Sequence, residues 1–193
     1  GMGGAGFPTY LKYATNKPIR YVLVNGAECE PYLTCDHRLM VEQPQRVIAG
    51  AKALRQAAGE AQVMICVEGN KPDAIALLED ACRGEEAVSV VRLPAKYPQG
   101  GERQLIKAVL GREVPAGGLP ADCGVLVTNV GTAAALADAV QGRPLTHRVV
   151  TVAGRVKRPA NLYVPIGTRL SELLEYCGGA VGEARYLWIA GGP

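Results

Sequence analysis

The sequence predicts an α/β protein in two parts: a domain on a mostly parallel sheet covered on both faces, then a small α+β module. Two patterns carry this expectation. Apolar runs of strand length alternate with stretches of helical periodicity as far as Pro144. Beyond Pro144 the order changes to two strands, a helix and a strand, which places the boundary near residue 146, giving parts 1–146 and 147–193. With 193 residues, 48% hydrophobic and 20% charged, the chain can bury a core and falls outside the composition of disordered proteins.

Pro8 sets the first turn of a short helix through Ala14, where its missing N–H costs nothing. Arg20 to Asn25 reads as a strand. Val47, Ile48, Ala51, Leu54 and Ala57 recur at helical spacing and form one apolar face. Gln62 to Val67 is a buried strand. Pro72 opens a helix through Cys82, Val88 to Leu93 is a strand, and Glu102 to Leu110 is a helix ended by Gly111. Gly124 to Thr128 is the fourth strand, and Thr132 to Val140 a helix ended by Gly142. In the second part, His147 to Ala153 and Asn161 to Pro165 are strands around a turn. Thr168 caps a helix through Cys177 with Glu172 in its first turn, and Tyr186 to Ala190 is the last strand.

Several function classes fall away on composition. A net charge of +3 with scattered basic residues gives no footprint for nucleic acid, and Arg155-Val156-Lys157-Arg158 reads as a solvated hairpin face. One Trp and one Phe supply no platform for stacking bases. No apolar run approaches the roughly 20 residues of a membrane span. Both ends read as cut from a longer protein. None of the six cysteines forms C-x-x-C, so zinc-ribbon, thioredoxin and ferredoxin patterns are missing, and no metal site is expected. Cys66 and Cys82 read as small core residues in a reducing, cytosolic compartment, while Cys29 lies between Glu28 and Glu30, whose charges oppose a reactive thiolate. His37 and His147 read as structural.

Two segments point to a ligand. Gly1-Met2-Gly3-Gly4-Ala5-Gly6-Phe7-Pro8-Thr9 lets the backbone turn tightly and approach a ligand with no Cβ in the way. A loop followed by a helix N-terminus suits a phosphate. Gly1, Gly3 and Gly6 satisfy G-x-G-x-x-G, but no strand precedes them, so the dinucleotide-fold reading fails. The second segment, Tyr21-Val22-Leu23-Val24-Asn25-Gly26-Ala27-Glu28-Cys29-Glu30-Pro31-Tyr32, runs a strand into a loop bearing an amide and two carboxylates. Together they suggest a nucleotide or flavin site.

The glycine loop resembles the flavin loop of the FMN-bearing, NADH-oxidising subunit of respiratory complex I and its relatives. The chain is more similar still to the C subunits of Rnf electron-transport complexes. Four further segments carry that likeness: Asn25-Gly26-Ala27-Glu28-Cys29-Glu30-Pro31-Tyr32, Asp36-His37-Arg38-Leu39-Met40, Lys96-Tyr97-Pro98-Gln99-Gly100-Gly101-Glu102 and Asn129-Val130-Gly131-Thr132. Arg148 to Gly154, with Arg158-Pro159-Ala160-Asn161, resembles the start of the soluble ligand-binding β-grasp (SLBB) domain. Trp188-Ile189-Ala190-Gly191-Gly192-Pro193 resembles its later turn. The complex I pattern has an aspartate at Ala27 and a glutamate at Gly101; the chain follows the Rnf branch at both.

The resemblance implies an FMN-binding α/β domain followed by a β-grasp domain. It also implies a flavin step between NAD(H) and iron–sulfur carriers or ferredoxin, with [4Fe–4S] clusters only in a further domain of the full-length protein. Partners would be the other subunits of a membrane redox complex, which would hold the chain at the cytoplasmic face of the cell membrane. By position, Gly1, Gly3, Gly4 and Gly6 would line the flavin and its phosphate. Phe7 would offer a ring face and Lys12 would contact the nucleotide. Asn25 and Glu28 would sit at the flavin and Glu30 near NADH. Tyr97 and Glu102 would form the later aromatic and acidic positions, and Asn129 and Thr132 the phosphate side. No protein nucleophile is required, because the flavin carries the chemistry. Alternatives are a cobalamin reductase of propanediol microcompartments and a docking subunit with a vestigial flavin site. A phosphoryl-transfer enzyme is disfavoured, since the chain has no G-x-x-x-x-G-K-[ST].

Overall fold

The computed structural model describes residues 1–3, 6–182 and 187–191. Four strands, β1 (Tyr21–Gly26), β2 (Gln62–Glu68), β3 (Val88–Leu93) and β4 (Val125–Asn129), form one sheet in the order β3-β2-β1-β4. Every pairing is parallel, with Tyr21 opposite both Gln62 and Val125, and Val63 opposite Val88. The expected parallel sheet is therefore present.

The alternation of side chains along each strand builds two cores. Val22, Val24, Val63, Ile65, Val67 and Leu126 face one side, where they meet Met40, Val47, Ile48, Leu54, Leu78, Val130 and Ala133. These come from α2 (Cys35–Glu42), α3 (Pro44–Ala57), α4 (Pro72–Ala81) and α6 (Val130–Val140). Leu23, Cys66, Val125 and Val127 face the other side, against Leu105 and Ile106 of α5 (Glu102–Leu110). The chain thus leaves β1 toward β2 and β3, then crosses the opposite face through α5 to place β4 on the other flank of β1. The gap between β1 and β4 is where the winding direction reverses, and ligands of open α/β sheets gather beyond the carboxyl ends of strands at such a point.

The short helix α1 (Thr9–Tyr13) covers the free edge of β4. Lys12 Nζ donates to Val127 O at 3.0 Å, and the Tyr13 hydroxyl bonds Thr128 Oγ1 at 3.0 Å. An edge strand left bare would offer unpaired backbone groups to another chain.

A separate two-stranded sheet pairs β5 (His147–Val152) antiparallel with β6 (Ala160–Pro165), and α7 (Leu170–Tyr176) follows. Several sequence expectations are corrected. The motif around Asp36 is a full helix, α2, whose polar, short sequence hid its periodicity. Pro120–Cys123 adds a 3-10 turn before β4. Ala57 is exposed, so the buried face of α3 consists of Val47, Ile48, Gly50, Ala51 and Leu54. The α7 N-cap is Arg169, whose N–H donates to Glu172 Oε2 at 3.1 Å; the Thr168 hydroxyl donates instead to Pro165 O. Leu187 to Ala190 form no strand, and Tyr186 lies outside the described residues. Nor is the basic cluster wholly solvated: Arg158 donates to Tyr176 O at 2.8 Å and ties the hairpin to α7. His147 stacks on Tyr163 with ring centroids 5.0 Å apart, and His37 Nε2 contacts Asp73 Oδ1 at 2.8 Å.

The tightest packing is between α3 and α6. A Cβ on Gly50 would fall inside contact distance of the Ala133 carbonyl, so only glycine lets the two helices approach this closely. Gly50→Val should force them apart and cost about 3 kcal/mol, as overpacking of a rigid core does. For a chain of this size that is a fall in melting temperature on the order of 10 °C, measurable by circular dichroism.

Candidate functional site

The carboxyl ends of β1 and β4 collect most of the residues singled out in the sequence. Asn25 and Asn129 are register partners at the last paired position of the two strands. Asn129 is the N-cap of α6: its Oδ1 accepts the N–H groups of Gly131 at 2.8 Å and Thr132 at 3.4 Å. Its Nδ2 donates to Asp36 Oδ2 at 2.6 Å. Side-chain acceptance at an N-cap satisfies amides that the helix itself cannot.

The glycine loop is laid against this cap. Met2 N–H donates to Thr132 Oγ1 at 2.8 Å, and Gly6 N–H to Gly3 O at 3.2 Å. A Cβ on Gly3 would stand 2.9 Å from Asn129 Cγ, and one on Gly1 would collide with the Phe7 carbonyl. Gly6 has φ +66°, a conformation natural to glycine. The glycines at 1 and 3 are thus required by the loop's own packing and the glycine at 6 by its backbone conformation. Gly4 lies outside the described residues. Phe7 is 51% exposed, which removes a core role for its ring.

Asn25 holds the next wall. Its Nδ2 donates to Gly100 O at 2.9 Å and its Oδ1 accepts the Ala27 N–H at 3.0 Å. A Cβ on Gly100 would meet Ala27 O at 2.6 Å, so glycine allows the later loop to close on the end of β1. In that loop the Tyr97 hydroxyl donates to Glu30 Oε1 at 3.3 Å, and the Glu30 charge raises the Tyr97 pKa above the ordinary phenol value. Tyr97 is 62% exposed. Glu30 Oε2 and both amide atoms of Gln99 are buried with no protein hydrogen-bond partner. Such unpaired buried polar groups are uncommon, and a bound water or ligand atom would satisfy them.

Two candidates have their polar groups already engaged. Lys12 Nζ is paired with Glu102 Oε1 at 2.8 Å, in addition to Val127 O. A nucleotide would share that ammonium with Glu102. Glu28 caps α2: Oε1 accepts the Asp36 N–H at 2.9 Å and the Cys35 thiol at 3.4 Å, and Oε2 accepts the His37 N–H at 3.1 Å. A carboxylate at a helix N-terminus is favoured by the helix dipole and by the open amides. These bonds account for the close grouping of Glu28, Cys35 and Asp36, whose ligand-type atoms all lie within 4.8 Å of one another.

That grouping has an electrostatic cost. Burial, then the charges of Asp36 and Glu28, push the Cys35 thiol up to about 12. Asp36 is raised to about 6 by burial first and the Glu28 carboxylate second, against the Asn129 bond and the cations Arg148 and Lys71. Asp36, Cys35, Gln99 and Arg148 were not singled out as site residues. Asp36 and Gln99 stand inside recognised motifs, but what they touch depends on chain crossings that no local pattern encodes.

Folded Asp36 keeps a proton between about pH 4 and 6 that the unfolded chain, with an ordinary carboxyl, has released. Its contribution to stability therefore grows as pH falls through 6 and is absent well above it. Asp36→Asn keeps an acceptor for Asn129 and does not titrate. The melting temperature of the native chain minus that of Asp36→Asn should rise when pH is lowered from 7.5 to 5.

Residues 1–138 match the Nuo51 FMN-binding domain family, and residues 149–193 the SLBB domain family. The whole chain aligns at 46% identity with the C subunit of the proton-translocating ferredoxin:NAD(+) oxidoreductase complex of Clostridium ljungdahlii, covering 43% of that protein. It aligns at 49% with the C subunit of the ion-translocating oxidoreductase complex of Pseudomonas aeruginosa, covering 25% of that one. The chain thus spans less than half the length of these relatives. Among solved structures, an NAD+-reducing [NiFe]-hydrogenase in the air-oxidized state superposes with a TM-score of 0.79 over 94% of this chain and 37% of its own, at 24% identity, a likeness of fold. The chain belongs to the Nuo51 FMN-binding domain family, with an SLBB domain following in the same polypeptide.

Proposed function

We propose that this chain is the flavin-bearing module of a membrane-associated electron-transport complex, passing electrons between NAD(H) and iron–sulfur carriers or ferredoxin by way of FMN. The observation that carries the reading is the glycine loop seated on the Asn129 cap at the β1/β4 switch point, in a chain of the FMN-binding family. Relatives whose names specify ferredoxin and NAD(+) support the choice of electron donor and acceptor. The division near residue 146 belongs to the same proposal, as do [4Fe–4S] clusters in the remainder of the full-length protein. No helix of the described residues is long and apolar enough to cross a membrane. Attachment to the inner face through partner subunits is part of the same proposal.

The residues fit a planar, phosphate-bearing cofactor. The backbone of Gly1, Gly3, Gly4 and Gly6 would hold its phosphate side, where any Cβ at Gly3 is refused by the fixed Asn129. Thr132 and Asn129 fix the loop from the α6 end. Asn25 sets the distance between β1 and the Tyr97 loop. The exposed rings of Phe7 and Tyr97 are available to stack, and the Glu30 carboxylate orients the Tyr97 phenol. Lys12, Glu102 and Glu30 would meet the nicotinamide nucleotide, Lys12 with its charge shared by Glu102. When bound, FMN supplies the exchange between two-electron hydride transfer and single-electron transfer.

The test is an FMN titration of the purified chain followed by quenching of flavin fluorescence, repeated with Gly3→Val. The native chain should bind, and Gly3→Val should bind at least tenfold more weakly with an unchanged far-ultraviolet spectrum. Equal affinity for both would remove the glycine loop from the site. Binding without any reduction by NADH would favour the docking-subunit reading.

A further inference from the structure

Met2, in the glycine loop, is held by both of its backbone groups, and by different parts of the chain. Its N–H is taken by Thr132 Oγ1 on α6 at 2.8 Å, and its carbonyl accepts from Arg148 Nη2 on β5 at 3.0 Å. Around this contact the β5–β6 hairpin is fastened to the first part at Thr34, the residue that precedes α2. Thr34 N–H donates to Thr151 Oγ1 at 3.2 Å, and Asn161 Nδ2 donates to Thr34 Oγ1 at 2.9 Å. The Thr151 hydroxyl donates in turn to Asn161 Oδ1 at 2.7 Å.

We propose that Arg148 is a positioning residue for the flavin loop, through which the second module orders the cofactor site of the first. The inference rests on the FMN reading above and deepens it. An isolated run of glycines has many backbone states and loses them all on binding. Fixing both the N–H and the C=O of Met2 removes much of that freedom beforehand, and preorganisation of this kind appears as affinity. Hydrogen bonds from a charged donor are stronger than neutral ones, which suits a guanidinium reaching a lone carbonyl from a neighbouring module. The Arg148 backbone is held in the β5–β6 ladder opposite Val164, which aims its guanidinium at Met2 O, and the same charge also acts on the Asp36 carboxyl. The hairpin thereby does more than pack: it adds a third hold to a loop that also rests on Asn129 at the end of β4 and on Thr132 of α6.

The chain is compared with Arg148→Ala, Arg148→Lys and Arg158→Ala in two measurements. Arg158 serves as the control because it grips Tyr176 O at the far end of the same hairpin. In FMN titration, Arg148→Ala should raise the dissociation constant about tenfold, Arg148→Lys should restore part of the loss, and Arg158→Ala should leave it unchanged. In amide hydrogen exchange without flavin, Arg148→Ala should speed exchange at Met2 and Gly6 while the strands of the large sheet keep their protection. If Arg148→Ala does not fold, Arg148→Gln replaces it in both. Native affinity in the Arg148 variants, or an equal loss in Arg158→Ala, overturns the positioning role. A native chain that binds no FMN overturns the flavin reading instead, while the exchange result still decides whether Arg148 orders the loop.

Discussion

The side-chain amide of Asn129 is the constraint on which the site depends. One oxygen closes the N-terminus of α6, and one nitrogen anchors Asp36 at the N-terminus of α2. Because Asn129 ends β4, the same amide ties the two helices that flank the switch point to the strand that creates it. Gly3 packs directly on this amide, so the position of the glycine loop is inherited from the sheet. Everything further out is hung on that inherited position: Thr132 on Met2, Arg148 on the opposite side of Met2, and the Tyr97 loop on neighbouring Asn25.

The arrangement gathers negative charge where a phosphate-bearing ligand is expected. Glu28, Asp36 and Glu30 all lie on the segment leaving β1. Each is handled differently. Glu28 accepts the amides of α2, Asp36 accepts from Asn129 and has its pKa raised by burial and by the Glu28 charge, and Glu30 keeps one oxygen on Tyr97. Backbone amides offset part of the repulsion that three carboxylates would exert on an incoming anion.

Most of the fold could be read from the chain because its elements announce themselves locally. Proline at the start of α4, glycine after α5 with φ +66°, and apolar runs for β1 to β4 are signals within a few residues. The missed α2 is short and polar, and buries only Met40, so no apolar stripe marks it. The site was legible as a set of segments but not as a geometry. The resemblance implies a ligand near Glu28 and Lys12, but it does not reveal that Glu28 also holds a helix terminus and that Lys12 also pairs with Glu102. Arg148 was invisible for the same reason: its partner is 146 residues away in sequence. Long-range hydrogen bonds leave no periodicity to detect.

The most direct test of this account is the FMN dissociation constant of Asn129→Asp at pH 7. Aspartate keeps the acceptor that caps α6, so the helix survives, but it sets a second carboxylate against Asp36 in place of a donor. Affinity should be at least tenfold lower than that of the native chain, with far-ultraviolet circular dichroism unchanged. An affinity within twofold of native would contradict it, because the loop would then be held by something other than the Asn129 amide.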